Sequence, residues 1–232
     1  MIKVLKTYGV RFGRLAGLLT VLVATGTAVA AEPSPARGLL TRDEVLGGIE
    51  KRYAGAGFAA DFFQESTLKQ MNVTDTASGK IFVKRPGMMR WEYEVPEKQT
   101  IITDSNKLWI YRPEDNQLMV GEAPSYFGEG KGASFLSDMK QVRKNFSITL
   151  ETSKDRLFYL LKLVPVHKNV DVSEIYLTIS QTTFDIVAIV TVNAFGDETR
   201  ITLSGFDFNR VLDDSKFYFT PPKGVDVLQL DR

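Results

Sequence analysis

Between Gly79 and Pro96 the chain reads GKIFVKRPGMMRWEYEVP, and its period leaves little choice of local structure. Ile81, Val83 and Arg85 alternate with Lys80, Phe82 and Lys84. After the Pro86-Gly87 turn, Met89, Trp91, Tyr93 and Val95 alternate with Arg90, Glu92 and Glu94. Successive side chains of a strand point to opposite faces, so this is a hairpin with one charged face and one apolar face that ends in a guanidinium. Upstream, FAADFFQESTL places Phe58, Ala60, Phe62 and Gln64 on one face. Downstream come KLWIYRP, QLMVG, FSITLE, RLFYLLKLVP, SEIYLTIS, DIVAIVTVN, ETRITLSGFDF and FYFTPP. Joined by short turns such as Ser153-Lys154-Asp155 and Gly196-Asp197, these runs predict an antiparallel meander, coiled or rolled.

Two stretches break the pattern. TRDEVLGGIEKRY, from Thr41, opens with a capping box of Thr41 and Glu44 and carries Val45, Ile49, Arg52 and Tyr53 at helical spacing before Gly55 and Gly57 end it. Gly47 and Gly48 weaken this helix from within, so packing over something apolar has to hold it. YFGEGKGASFLSDMKQVRKNF, from Tyr126, has no strand alternation; its glycines predict a loop. Ser134 to Val142 could form a short helix with Phe135, Leu136 and Met139 on a shared side.

The first thirty residues read as an export signal. Met1 to Arg14 holds four bases and no acid, Leu15 to Val23 is apolar, and Ala28-Val29-Ala30 supplies small residues for cleavage after Ala30. Residues 31–40 are a short leader, and 41–232 have the length of a single domain with one sizeable core. The whole chain has 29 Lys and Arg against 28 Asp and Glu. Without the four bases of the signal segment it is slightly acidic, which gives no reason to expect nucleic acid. There is no cysteine, hence no disulfide, thiolate metal site or acylatable residue after the signal.

Catalytic chemistry finds little footing. His167 stands alone beside Lys168, no nucleophile elbow or P-loop occurs, and Glu92 and Glu94 lie on the charged face of their strand. No catalytic residue, metal or cofactor is expected. Met88, Met89, Trp91, Tyr93, Phe62 and Phe135 taken singly are ordinary core residues. Arg85 is not: it must either reach solvent at the strand end or pair with buried carbonyls, and alternation does not choose between them.

ADFFQ at 60–64, GKIFVKRPGMMRWEY at 79–93, DSNKLWIYRPEDNQL at 104–118 and FYFTPPKGVDV at 217–227 resemble, in order and spacing, the LolA family of outer-membrane lipoprotein carriers. The resemblance implies a mainly β fold with a few helices: an incomplete, unclosed antiparallel β-barrel whose apolar cavity lies under a helical lid. It places Arg85 in that cavity as a latch hydrogen-bonded to the lid, with Phe62, Ile81, Val83, Met89, Trp91 and Tyr93 as the acyl-chain wall. The segments 41–54 and 133–142 become the lid pieces, turning Ile49, Tyr53, Phe135 and Leu136 inward. It further implies a periplasmic monomer that takes acylated lipoproteins from an inner-membrane ABC-type releasing complex and passes them to an outer-membrane acceptor. Two rivals are a lipid- or lipoprotein-sensing module on the same scaffold and a lipid hydrolase. A docking extension would mark the sensor; the single histidine argues against the hydrolase.

Overall fold

A computed structural model describes residues 40–123, 136, 140–167 and 170–230. The signal segment with its cleavage after Ala30, the leader up to residue 39, Phe135, Met139 and most of the expected 133–142 helix lie outside the described residues. Helix α1 spans Arg42–Arg52, and its capping box is formed as expected: the Thr41 side chain accepts from the Glu44 amide while the Glu44 carboxylate accepts from the Thr41 amide. Val45, Leu46 and Ile49 face inward and are buried. A second helix, α2, covers Lys140–Asn145.

Among the described residues, twelve strands form one sheet: β1 (Gly57–Leu68), β2 (Val73–Lys84), β3 (Met88–Val95), β4 (Gln99–Asp104), β5 (Lys107–Arg112), β6 (Gln117–Glu122), β7 (Phe146–Glu151), β8 (Phe158–Pro165), β9 (Glu174–Ser180), β10 (Ile186–Val192), β11 (Glu198–Asp207) and β12 (Asp226–Gln229). Their order is β12-β6-β5-β4-β3-β2-β1-β11-β10-β9-β8-β7, so the sheet stays open between β7 and β12. Neighbours are antiparallel as expected, except that β12 joins β6 in parallel. That exception follows from the route of the chain. FYFTPP, expected to be a strand, instead enters from a 3-10 helix at Asp214–Phe217 capped by Asp213 and continues as an extended stretch that returns the chain to the β6 edge.

The two faces of the sheet are finished differently. On the concave side, residues of α1, β1–β3 and β7–β11 share a continuous buried cluster with Leu136 and Val142. On the other side, the face of β2 expected to be charged carries Phe82. That ring is buried with Ala59, Leu212 and Phe217, and Lys216 Nζ lies 3.8 Å from its centroid. The stretch from Leu212 to Phe217 therefore roofs one outer patch, a role the alternation of β2 alone does not announce.

Gly48 has a specific reason to be glycine. A Cβ there would lie 2.3 Å from Cδ1 of Phe184, whose ring packs onto the helix, whereas a Cβ on Gly47 would meet nothing within 4 Å. One of the two glycines is a contact surface; the other is only a helix weakness.

Candidate functional site

Strand register assembles the concave wall row by row. Ile81 pairs with Ala60 and Trp91, and the row continues through Ile101, Ile110 and Met119 to Leu228. Val83 pairs with Phe58 and Met89 in the row beside it. Phe62 and Tyr93 both pair with Gly79. Strands on either side of a third lie ~9.5 Å apart, yet the Phe62 and Tyr93 rings approach to 4.9 Å because Gly79 between them has no side chain. Phe62 meets Trp91 at the same centroid distance, edge to face.

Of the residues expected at the wall, Phe62, Ile81, Val83, Met89 and Trp91 are buried in the concave cluster, together with Ile49, Tyr53 and Leu136 from the elements above it. Tyr93 is half-buried at its edge, its hydroxyl donating to Gln64 Oε1 at 3.1 Å, and burial pushes its phenol up to about 12. Sequence patterning did not reveal the aromatic block in which Phe58 and Phe208 meet the Tyr53 ring and Phe206 packs against those two. Nor did it place Ile101, Ile110 and Met119 on the wall. Phe208 lies just past the end of β11, and for the residues inside strands only cross-strand register says which face each occupies.

Burial falls in steps along the Ile81 row. Ile81 and Trp91 are sealed, Ile101, Ile110 and Met119 are half-buried, and Leu228 is 42% exposed. Ile110 and Met119 belong to neither buried cluster. The stretch of this row from Ile101 through Ile110 to Met119 is thus an apolar surface without a full cover, although Leu108, two residues before Ile110 on the same face of β5, is sealed.

Arg85 stands where β2 ends. Its backbone amide donates to Ala56 O at 2.8 Å. Nη1 donates to Gly55 O at 2.6 Å and Nη2 to Leu136 O at 3.2 Å, while Cζ sits 5.8 Å from the Tyr53 ring centroid. The geometry has elements of both readings: one planar fork bridges backbone carbonyls of two segments that share no strand pairing, yet Arg85 is only half-buried and its bond to Gly55 lies at the surface. These two bonds go to carbonyls, whose dipoles hold a guanidinium less tightly than a carboxylate does.

Helix α1 is fixed by firmer contacts. Arg52 Nε donates to Asp185 Oδ1 at 2.6 Å while its guanidinium lies 3.8 Å from the Phe208 centroid. The Ile186 amide donates to the Tyr53 hydroxyl at 3.0 Å, and burial raises the Tyr53 phenol far above its ordinary range. From α2, Arg143 reaches Glu50 at 2.5 Å and Asp43 at 3.3 Å. The Asp43 carboxyl is held below its usual range by Arg42 and then by Arg143.

Among the described residues, no group of three or more His, Cys, Asp or Glu is placed to hold a metal ion, and no helix is long and apolar enough to cross a membrane. His167 is exposed.

Residues 55–220 match the family model described as outer membrane lipoprotein carrier protein LolA. The outer-membrane lipoprotein carrier protein of Neisseria meningitidis (serogroup C, serotype 2a) is 31% identical over 172 residues, 74% of this chain and 80% of that protein. Its namesake from Nitrosospira multiformis is 31% identical over 173 residues, 73% of this chain and 80% of the relative. A crystal structure of an uncharacterized conserved protein from Thermus thermophilus superposes with a TM-score of 0.54 at 13% identity, covering 81% of this chain and 98% of that one, which speaks to the fold alone.

Proposed function

Because the chain belongs to the LolA family of outer-membrane lipoprotein carrier proteins, we propose that it is a periplasmic chaperone that shields the acyl chains of lipoproteins between the two membranes. It would receive them from an inner-membrane ABC-type releasing complex and surrender them to an outer-membrane acceptor. A triacylated protein exposes roughly 40 methylenes, and at ~0.8 kcal/mol each the cost of crossing water unshielded is on the order of 30 kcal/mol. A carrier must cover that surface and still let go of it. A wall of methionine, aromatic and branched side chains suits this task, since such surfaces repack around different chains.

The observation that carries the reading is the Arg85 fork across Gly55 O and Leu136 O, beside the sealed Val83 row of an apolar wall whose Ile101–Ile110–Met119 stretch is only half covered. Arg85 acts as a latch: its hydrogen bonds favour the closed, empty form and are given up when acyl chains enter. Arg85→Leu removes them and adds apolar surface, so both changes shift the balance toward the loaded form. The expected result is normal or improved uptake with slow release, so that lipoprotein accumulates on the periplasmic protein. Arg85→Lys should be intermediate, keeping the charge without the fork. A release rate for Arg85→Leu equal to that of wild type would remove the latch. Correct sorting of lipoproteins in cells depleted of this protein and any paralogue would remove the carrier.

A further inference from the structure

At the end of the sheet remote from Arg85, large apolar side chains stand in water on the tips of turns. The β1–β2 turn exposes Leu68, Met71 and Val73, with Met71 at 66%. The β10–β11 turn exposes Phe195 at 62%, and Val170 beside it is 59% exposed. The tips form one rim: the Lys69 amide donates to Asp197 Oδ1 at 3.0 Å, and the Ala194 amide donates to Val170 O at 3.0 Å. From Val73 to Lys84, β2 is 12 residues long, so about 36 Å separates this rim from the latch.

The backbone under Phe195 is finished in an unusual way for a wet turn. All five amides from Asn193 to Asp197 are bonded within the protein. Asn193 Oδ1 accepts from Phe195 and Asp197 at 2.9 Å each, Asn193 O accepts from Gly196, Asp197 O from Asn193, and Val170 O from Ala194. The Asp197 carboxylate is occupied by the Asn193 side-chain amide and the Lys69 amide. In the β1–β2 turn, Met71 and Asn72 donate to Leu68 O and Lys69 O. Entering an apolar medium costs most where backbone donors lose water without replacement. In the β10–β11 turn those donors have nothing to lose, and the side chains at the apex gain by leaving water.

We propose that this rim is a bilayer-contact site, with Phe195 and Met71 entering the headgroup–acyl boundary of a phospholipid surface. A protein partner would need a continuous apolar core. In this rim each apolar chain stands on its own turn with Lys69, Asn72 and Asn193 between, an arrangement that suits a fluid surface able to close around separate points. The proposal rests on the carrier reading only for the reason that a bilayer is met.

The chain has no cysteine, so a single one can be labelled cleanly. The probe is the mature protein carrying an environment-sensitive fluorophore at Gln70→Cys on the rim, or at Lys154→Cys in the β7–β8 turn of the opposite end. It is mixed with vesicles of phosphatidylethanolamine and phosphatidylglycerol, with and without brominated acyl chains. The label at 70 should shift to the blue and be quenched by bromine; the label at 154 should not. Phe195→Ser and Met71→Ser, whose side chains are exposed, should each weaken vesicle association roughly ten-fold while leaving binding of a triacylated peptide unchanged. No response at 70, an equal response at 154, insensitivity to both substitutions, or a response that requires a protein in the vesicle would overturn the contact site. Loss of triacyl-peptide binding by the unlabelled protein would instead count against the carrier reading, so the two failures are distinguishable.

Discussion

The concave wall has two halves built from the same kinds of residue, and they are covered to different degrees. In the β7–β11 half, Leu161, Leu163, Ile175, Leu177 and Ile179 are fully buried, and α1 is seated above by the Arg52–Asp185 pair, the Tyr53–Ile186 bond and the Gly48–Phe184 contact. In the β4–β6 half, Ile101, Ile110 and Met119 alternate just as cleanly but are only half covered. Alternation makes a face apolar; the elements that cross above it decide whether that face is core or site. On the carrier function proposed above, the difference would put the acyl-chain surface toward β4–β6 and make the other half the scaffold that holds it.

The largest expected effect comes from the scaffold half. Leu177→Asp buries an unpaired carboxylate among Leu161 and Ile189, its cross-strand partners. The loss should be about 4 kcal/mol or more, enough to abolish the cooperative unfolding transition. A folded Leu177→Asp protein in thermal denaturation would mean that this half, too, is loosely filled. Val83→Glu, which by sequence alone would probe cargo, is now expected to behave in the same way because Val83 is completely buried.

In the open half the same chemistry should separate folding from binding. Ile110→Glu and Met119→Glu can turn their carboxylates to water, so each should cost about 1 kcal/mol of stability. Each should weaken triacyl-peptide binding at least roughly ten-fold by placing charge where methylenes lie. Titration of the peptide with thermal melts on the same samples checks both numbers. Unchanged binding in both variants would move the site away from β5 and β6.

Much of the fold was legible beforehand but this contrast was not, and what was missing has a common cause. Period two located the strands and the apolar face of β1–β3, and the lone arginine in an apolar row at position 85 marked a polar contact worth seeking. The capping box at Thr41 fixed where α1 begins. Single-strand periodicity could not say that Phe82 would be roofed by Leu212 and Phe217, that Ile110 lies in the same row as Ile81, or that the last strand would add in parallel. Each of those depends on contacts between segments far apart in the chain. Gly48 shows the limit well: in the sequence it is a flaw in a helix, and in the fold it is the place where Phe184 sits.

Gly48→Ala is the third test, and it asks whether α1 belongs to the scaffold or moves with cargo. The added Cβ forces the Phe184 ring aside, a strain of about 1–3 kcal/mol that outweighs the ~1 kcal/mol gained in helix propensity, so a net loss of roughly 1 kcal/mol is expected. If α1 stays seated during loading, triacyl-peptide affinity should not change. A rise in affinity alongside the fall in stability would show that unseating α1 is part of uptake, and the scaffold would shrink to β7–β11 alone.

The smallest effect is expected one residue earlier, and it controls for the helix itself. Gly47→Ala meets no atom within 4 Å of its new Cβ, so the substitution changes only backbone entropy and should stabilise α1 by up to ~1 kcal/mol. For a domain of this size that is a rise of about 2–4 °C in the thermal midpoint. The gain is the same whether the helix is seated or lifted, because no contact to the sheet is involved. Uptake and release should therefore match wild type even if Gly48→Ala alters them. A change in affinity with Gly47→Ala would mean that α1 partly unwinds when cargo enters, since only a helix-to-coil step could turn a change in propensity into a change in binding.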